Sequence, residues 1–416
     1  MEVSRFTYPK ERVRWAVWTF FLAQGLCFST WASRIPDIKA LFVAEDMWLL
    51  GRQVDDVLFW SWVLFLIPAG KFVALPAAGW LISRLGSRVM SQASVLGYAA
   101  ALLSIGWAGN VYVLGVCLFA FGVCWNLCDI SLNTQGVGIE RLMGRTVMAT
   151  FHGGWSLAAC GGALLGFLMI LWGVSPEHHF SAVAVVIAAT VFWGRKYLQE
   201  DVAAEAAAAP GQEERASAGL LRFVRRPEGL LLQLGLVSLF ALVVESAMFD
   251  WSGFYFKSVI EAPDSLQIGF LVFMVMMATG RFLTNYAYGK LGKRRVLQCA
   301  GFLIFSGFFL SALPGGVVEA GMTVKVTVIS AGFMLVGLGI SCMVPTVYSL
   351  AGAKSRTPVG LAITILSAVS FVGSLLAPPL IGLLSKSFGL QYAYLAIGLL
   401  GGCIWGMTTF CRAFKN

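Results

Sequence analysis

One aspartate in an apolar segment has the surroundings needed to exchange a proton or to bind a polar solute. Asp129 lies in FGVCWNLCDISLNTQG, and helical spacing places Asn126 and Asn133 on the same stripe, three residues before it and four after it. A carboxylate flanked by two amides suits hydrogen bonding to hydroxyl groups, and a carboxyl group away from bulk water can take up and release a proton. The spacing therefore predicts Asp129 as a proton-coupling residue, and Asn126 and Asn133 as binding residues.

Other charged residues also lie within apolar segments, where such groups usually mark function or a paired structural role. Lys71 could hold Asp129 in a permanent ion pair, which is the alternative to a proton-coupling role. Arg281 could pair with Glu245 or Asp250, either as a structural strut or as a switch that breaks. Glu245 and Asp250 are five residues apart, about 140° around a helix, so they do not share a face. Both are predicted proton-coupling candidates.

Histidine and aromatic side chains complete the predicted binding set. His152 shares a helical face with Ser156 and lies near Trp155, so it is a candidate for solute contact or proton acceptance. The alternative for His152 is a hydrogen bond to a backbone carbonyl. Stacking faces for a sugar-like solute are predicted at Trp31, Trp125, Trp155, Trp251 and Tyr348. The alternative for the tryptophans is anchoring at a membrane interface.

No residue pattern indicates a metal, a cofactor or a covalent reaction. The nine cysteines lie in apolar runs without a zinc-type spacing, which is typical of small packing residues. His178 and His179 are predicted to be solvated in a loop. No nucleophile motif or phosphate loop is present, so we expect neither an enzyme nor a bound cofactor.

The composition sets the elements that must position these residues. Of the 416 residues, 58% are hydrophobic and 12% are charged, about half the charged share of a soluble domain. At about 20 apolar residues per span, there is room for roughly twelve membrane-spanning helices. The only long polar stretch is 197–228. The expected fold is therefore an all-α membrane protein with a six-helix bundle at 1–196, a linker at 197–228 and a second six-helix bundle at 229–416.

The distribution of basic residues supports this topology and accounts for the net charge of +9 without nucleic-acid binding. If both termini are cytoplasmic, 22 of the 30 Lys and Arg residues fall on the cytoplasmic side, 6 fall on the other side and 2 lie within spans. The positive-inside rule gives this bias. We expect a multi-pass monomer in the bacterial cytoplasmic membrane with both ends inside.

The two halves resemble each other weakly. AGKFVALPAAGWLISRLGSR in span 2 and TGRFLTNYAYGKLGKRR in span 8 place Lys71 and Arg281 at matching positions. Parallel six-span repeats are typical of transporters whose solute site lies near the bilayer midplane, where the repeats meet. The repeat therefore predicts a pseudo-symmetric pair of bundles.

The loop after span 2 adds a family resemblance. GWLISRLGSR, residues 79–88, resembles the G-x-x-x-D-R-x-G-R-R signature of the major facilitator superfamily, with Ser83 in place of its aspartate. A degenerate second copy, GKLGKRR, occupies 289–295. The resemblance implies the major facilitator fold. Arg84 and Arg88 of this loop, together with Arg34, Lys71 and Arg281, are the predicted charge-pair or gating residues.

Two groups within that superfamily are similar in detail. The acid-x-x-x-Asn of Asp129 and Asn133 resembles the fucose permease group, whose span-4 acid and asparagine line a sugar and proton site. That group has a span-1 aspartate at the position of Ala32, so its two-acid relay is not carried over. TWASRIP at 30–36 and His152-Gly153 resemble the YbjJ-like inner-membrane group more closely.

Together these features favour a proton-coupled secondary transporter of a small polar solute, such as a sugar-like metabolite. Its halves would rock to give alternating access, with Asp129 carrying the proton or another cation. The alternative is a proton-driven exporter of amphipathic compounds, which the 13% aromatic content and 14 methionines would suit.

Overall fold

The described part of the chain is almost entirely helical in the computed structural model. The structure describes residues 8–43, 47–49, 52–144, 147–199, 228–312, 321–355, 357, 359–411 and 414. In the first half the helices are α1 (Lys10–Ser33), α2 (Ile35–Phe42), α3 (Asp56–Gly106), α4 (Val111–Met143), α5 (Met148–Leu171) and α6 (Pro176–Gly194). In the second half they are α7 (Gly229–Ser258), α8 (Gly269–Ala312), α9 (Met322–Ile340), α10 (Met343–Lys354), α11 (Val359–Phe388) and α12 (Leu390–Phe410). A short antiparallel hairpin, β1 (Met47–Leu49) with β2 (Arg52–Val54), precedes α3.

The helices account for twelve membrane spans. Within the described part of the chain, ten helical segments are long and apolar enough to cross a membrane. One of them, Asp264–Ala312, is 49 residues long and contains two helices separated by a break at Gly292. Counting the two helices of that segment separately gives eleven spans. The 24-residue α1 is less apolar and is the twelfth. The predicted twelve-helix membrane fold is confirmed.

Contacts between helices divide the chain into two compact units. The first comprises Met1–Phe42 and Leu66–Gln212, and the second comprises Val43–Phe65 and Glu213–Asn416. Helices α4, α5 and α6 therefore lie with α1 and α2 in the first unit, and α7 to α12 lie in the second. The division into bundles joined by a linker at 197–228 stays a prediction, because residues 200–227 lie outside the described residues.

The two loops that resemble each other in sequence also share a backbone feature. Gly86 interrupts α3 with φ 82° and ψ 152°, and Gly292 interrupts α8 with φ 75° and ψ 156°. Both values lie in a region that residues with a Cβ rarely adopt. The same sharp break thus joins consecutive spans at matching places in the two halves, which supports the internal repeat.

Replacing Gly292 tests the backbone requirement directly. Gly292→Ala should lower the stability of the chain by about 1–3 kcal/mol, since no atom of the described residues lies within 4 Å of the added Cβ and the backbone conformation alone resists it. Thermal unfolding of the purified protein would measure this effect. The control is Gly289→Ala, whose Cβ also meets open space but whose backbone is helical. Equal unfolding temperatures for the two variants would contradict the argument.

Close backbone approach holds α1 against α5 in the first unit. A Cβ at Gly25 would lie 2.3 Å from the carbonyl oxygen of Trp155, and one at Gly162 would lie 2.0 Å from the hydroxyl oxygen of Ser29. Small residues allow such packing where both helices are embedded in lipid. The register of α1 on α5 is therefore fixed by backbone contact, which positions the side chains of α1 that face α4.

Ordered polar contacts fix the ends of these helices. The carboxylate of Glu140 in α4 accepts hydrogen bonds from the backbone N–H groups of Val147 and Met148, at 2.7 and 2.9 Å, and so caps the start of α5. The buried amide of Gln135 donates to Ser87 in α3 at 2.8 Å and to the carbonyl of Gln199 at 3.0 Å. These contacts join α3, α4, α5 and the segment that follows α6.

An aromatic cluster forms the core of the second unit. The rings of Tyr255 in α7 and Tyr394 in α12 lie 4.7 Å apart, and both residues are 0% exposed. Their hydroxyl groups donate to the backbone carbonyls of Ser311 and Ala247, at 2.8 and 3.2 Å. Because each hydroxyl has a partner, this core excludes water without leaving these polar groups unsatisfied.

One predicted loop residue is buried instead. His179 is 1% exposed because α6 begins at Pro176, before the two histidines and not after them. Neither ring nitrogen of His179 has a hydrogen-bond partner among the described residues. His178 is exposed, with Nδ1 2.7 Å from the hydroxyl of Ser175. The prediction of a solvated side chain is wrong for His179.

Candidate functional site

Asp129 lies inside the first unit, where a glutamine from α1 contacts its carboxylate. The side chain of Asp129 is half-buried, and Gln24 Nε2 donates to Asp129 Oδ1 at 3.3 Å. Gln24 itself is 1% exposed, and its Oε1 has no hydrogen-bond partner among the described residues. The sequence did not predict Gln24 as a site residue, although it is an amide in an otherwise largely apolar helix. The polar pair joins α1 to α4.

The two asparagines of the predicted stripe differ in what they contact. Asn133 Nδ2 donates to the backbone carbonyl of Asp129 at 2.8 Å, so this amide hydrogen bonds its own helix and not the carboxylate. Asn126 is 7% exposed, and its Oδ1 has no partner in the described part of the chain. A buried amide oxygen without a donor is costly. Asn126 therefore offers a free acceptor one turn from Asp129.

Aromatic rings line the same region. The ring of Phe28 in α1 lies 4.9 Å from Trp125 and is stacked at 5.7 Å on Trp155 in α5. The Lys71 ammonium lies 3.6 Å from the centroid of the Trp125 ring, a cation–π contact. Of these residues, Trp125 and Trp155 were predicted as stacking faces, and Phe28 was missed because its helical face cannot be assigned from an apolar run alone.

His152 lies at the edge of this cluster, one turn from Trp155 on α5. Its ring meets Phe21 edge-on at 5.4 Å, and its side chain is exposed. The backbone carbonyl of His152 accepts from the hydroxyl of Ser156 at 3.0 Å, so this hydroxyl bonds back to its own helix. The structure thus brings Asp129, Asn126, Trp155 and His152 into one unit with Gln24 and Phe28.

Two predicted stacking residues are removed from the site. Trp31 is 1% exposed and Trp251 is 0% exposed, so each ring lies in the core of its own unit. Trp31 packs at 6.2 Å on Phe121, and Trp251 packs at 5.8 Å on Phe254. A solute would have to displace these neighbours to reach either indole, so both rings serve as core packing in this structure, and their role in binding stays a prediction.

The predicted arginines have different surroundings. Arg34 is 2% exposed; its guanidinium pairs with Asp37 at 2.9 Å and donates to the carbonyl of Val174, which fastens the α1–α2 junction to the loop before α6. Arg84 is exposed and lies 4.7 Å from the centroid of the Trp80 ring, while Arg88 is half-buried. Arg34 therefore forms a charge pair at the end of α1.

The second unit contains an ion pair between α7 and α8. Arg281 NH2 lies 3.6 Å from Glu245 Oε1, and both side chains are largely buried, at 27% and 20% exposed. Asp250, one and a half turns further along α7, is half-buried. The hydroxyl of Tyr348 in α10 is 2.9 Å from that of Ser367 in α11. Of the two acids considered as partners for Arg281, Glu245 makes the observed pair.

Breaking this pair should cost more than removing both charges. Glu245→Gln removes the carboxylate that lies 3.6 Å from Arg281 and should destabilise the protein by about 2 kcal/mol, less than for a fully buried pair because both groups have some exposure. Glu245→Leu combined with Arg281→Leu should recover most of that loss, since both charges of this pair are then removed together. Thermal unfolding of the single and double variants measures the coupling. If the stability losses of the single variants simply added up in the double variant, the pair would not be stabilising.

Comparison with known proteins gives one family and a shared fold. The family described as the Major Facilitator Superfamily matches residues 20–357. The chain is 26% identical over 385 residues to an uncharacterized transporter of Sinorhizobium fredii, covering 92% of this chain and 94% of the relative.

Solved structures with low sequence identity share the fold. A D-xylose-proton symporter superposes with a TM-score of 0.74 at 13% identity, covering 97% of this chain and 99% of the other. The fucose:proton symporter of E. coli has a TM-score of 0.58 at 17% identity, covering 94% and 98%.

Proposed function

The chain belongs to the major facilitator superfamily of membrane transporters, and from that premise we propose that it moves a small polar solute together with a proton. The solute is sugar-like, the mechanism is alternating access, and the membrane is the bacterial cytoplasmic membrane. Both termini are cytoplasmic and the working unit is one chain. The observation that carries the proposal is the hydrogen-bonded carboxylate of Asp129 inside the first unit, next to unsatisfied amide oxygens and aromatic rings.

Proton coupling is assigned to Asp129 because of its position in that unit. A carboxylate in a lipid-embedded bundle is energetically costly and usually marks a functional site. Among the described residues, the side chain of Asp129 receives one hydrogen bond, from Gln24 at 3.3 Å. A weakly held carboxylate can accept a proton without breaking a strong ion pair. Glu245 is less suited to this task because Arg281 already neutralises it. Two structures of similar fold are those of proton symporters, which is consistent with the assignment.

The solute is assigned from the acceptors and the rings. Asn126 Oδ1 lacks a donor, and a hydroxyl group is a donor that could satisfy it. Trp125 and Trp155, which are half-buried and pack on the buried ring of Phe28, supply apolar surface against which the C–H face of a sugar ring can pack. Similar folds belong to a xylose symporter and a fucose symporter, both for hydroxyl-rich solutes. A polyhydroxylated metabolite fits this combination of groups.

A two-stage experiment tests the proposal. Purified protein is first screened by thermal unfolding against pentoses, hexoses, nucleosides and short peptides, because a ligand that binds only the folded chain raises its apparent stability. The stabilising compound is then offered to sealed vesicles with an imposed pH gradient. We expect accumulation of a sugar-like compound that stops when the gradient is dissipated. Stabilisation by amphipathic dyes alone, with gradient-driven dye efflux, would replace the proposal with the exporter hypothesis.

A further inference from the structure

Gln24 occupies the face of α1 that packs on α4 and α5. Phe21, Gln24, Gly25 and Phe28 are three or four residues apart and therefore share this face. Phe21 stacks on Phe151 at 5.4 Å, while Gly25 and Phe28 contact the backbone or ring of α5 residues. Three of the four positions are apolar. The amide of Gln24 is thus not needed to pack the helices.

The contacts of Gln24 point instead to Asp129. The side chain is 1% exposed, its Nε2 donates to Asp129 Oδ1 at 3.3 Å, and its Oε1 has no partner in the described residues. A buried amide with one hydrogen bond made and one acceptor unsatisfied is costly. A residue that is unfavourable for packing and contacts the proposed proton carrier is a candidate for controlling that carrier.

Few other titratable groups face this carboxylate. Tyr98 of α3 and Cys128 of α4 interact electrostatically with Asp129. From α1, the thiol of Cys27 donates to the backbone carbonyl of Tyr98 at 3.6 Å. Lys71 of α3 lies over Trp125, one turn before Asp129.

On α5, His152 contacts Phe21, one turn before Gln24. Phenol and thiol groups are neutral near neutral pH. The amide of Gln24 therefore supplies a direct hydrogen bond to the carboxylate that these neutral groups do not replace.

We propose that Gln24 is a positioning residue that sets the pH at which Asp129 takes up its proton. In the ionised state, Nε2 donates to Asp129 Oδ1, as observed. When a proton from water bonds to Oδ1 of Asp129, the new O–H and the N–H of Gln24 are both donors and cannot bond to each other. A half-turn of the terminal amide of Gln24, which is a soft torsion, brings Oε1 into place to accept from the new O–H. The unsatisfied oxygen of the ionised state thereby gains a partner.

The two hydrogen bonds differ in strength, and this fixes the direction of the effect. A hydrogen bond to an ionised acceptor is about twice as strong as one between neutral groups. Gln24 therefore stabilises the ionised carboxylate more than the protonated one. Without the amide, Asp129 should hold its proton to a higher pH. This inference rests on the proposed role of Asp129 and adds the residue that tunes it.

Infrared difference spectroscopy tests the inference without a solute. The full chain is reconstituted in lipid vesicles, and the carbonyl band of protonated carboxyl groups is recorded across a pH titration. The band that disappears in Asp129→Asn belongs to Asp129. In Gln24→Met, a substitution of similar volume, we expect the midpoint of that band to rise by about one pH unit, a tenfold higher proton affinity. Gln233→Met is the matched control, because Gln233 lies on α7 in the second unit and also has an unpartnered Oε1.

The outcomes separate the inference from the proposed function. An unchanged midpoint in Gln24→Met overturns the role of Gln24 and leaves Asp129 as the proton carrier. If Asp129→Asn removes no titrating band, both the proton role of Asp129 and the inference fail.

Should Gln24→Met not fold, Gln24→Glu provides the second variant. Two carboxyl groups this close cannot both ionise readily, so the titration should split into two steps. A single step at the original midpoint would overturn the inference.

Discussion

Asp129→Asn should abolish proton-driven accumulation of the solute while leaving its exchange across the membrane intact. The substitution keeps the size and hydrogen-bonding capacity of the side chain, but asparagine cannot carry a proton. With one proton per solute, a pH gradient of about one unit can hold about a tenfold solute gradient. The variant should hold none, so its accumulation ratio in sealed vesicles should fall to about one, whereas exchange of labelled for unlabelled solute continues.

The same helix provides a matched control for this variant. Glu140→Gln is the equivalent change on α4, at a carboxylate that caps α5 through Val147 and Met148. The glutamine oxygen can still accept those hydrogen bonds, so Glu140→Gln should accumulate solute as the unmodified chain does. Undiminished gradient-driven accumulation by Asp129→Asn would exclude Asp129 as the coupling residue.

Gly122→Leu should cause a large loss of stability in the first unit. A Cβ at Gly122 would lie 2.0 Å from the backbone oxygen of Ile67 in α3 and 2.9 Å from its carbonyl carbon. Backbone atoms cannot move aside as a side-chain tip can. The loss of stability should therefore exceed the roughly 1–3 kcal/mol that overpacking usually costs. Because Asn126 follows one turn later, separation of α3 from α4 should also weaken solute binding.

A glycine on a neighbouring helix serves as the comparison. Gly161 on α5 has no atom within 4 Å of an added Cβ and is exposed, so Gly161→Leu should leave the unfolding temperature nearly unchanged. Yield of folded protein and thermal unfolding in detergent would measure both variants. Equal behaviour would show that α3 and α4 are not held at the distance described above.

Much of the fold follows from the sequence because the membrane restricts the choices. A backbone in lipid must satisfy its own hydrogen bonds, so long apolar runs become helices and can be counted. The two loops around Gly86 and Gly292 were predicted as copies of one motif, and both contain a break at the same glycine. The fold class could therefore be predicted from the sequence alone.

The side-chain partners were less predictable. Most residues of α1 are apolar on every face, so the sequence does not tell which residues face α4, and the contact between Gln24 and Asp129 was missed. The sequence feature that could have indicated this contact is the amide of Gln24 within an apolar run. Trp31 and Trp251 were predicted as binding residues because aromatic residues suit a solute site as well as a core, and in the structure both are buried.

The stripe on α4 was the most informative pattern. It predicted Asp129 and Asn126 from helical spacing, and both lie inside the first unit. It also included Asn133, whose amide instead bonds the backbone of its own helix at 2.8 Å. Spacing assigns a residue to a face, but it does not determine whether a short polar side chain turns toward the neighbouring helix or back onto its own backbone.

Solute-driven proton movement is the most direct test of the central claim that Asp129 carries the proton. Vesicles containing the purified chain and a trapped pH indicator receive the sugar-like solute on one side only, with no initial pH gradient. We predict that the solute entering down its gradient acidifies the lumen in the unmodified chain. In Asp129→Asn, solute should enter without acidification. Proton movement that accompanies solute entry equally in both proteins would contradict the account.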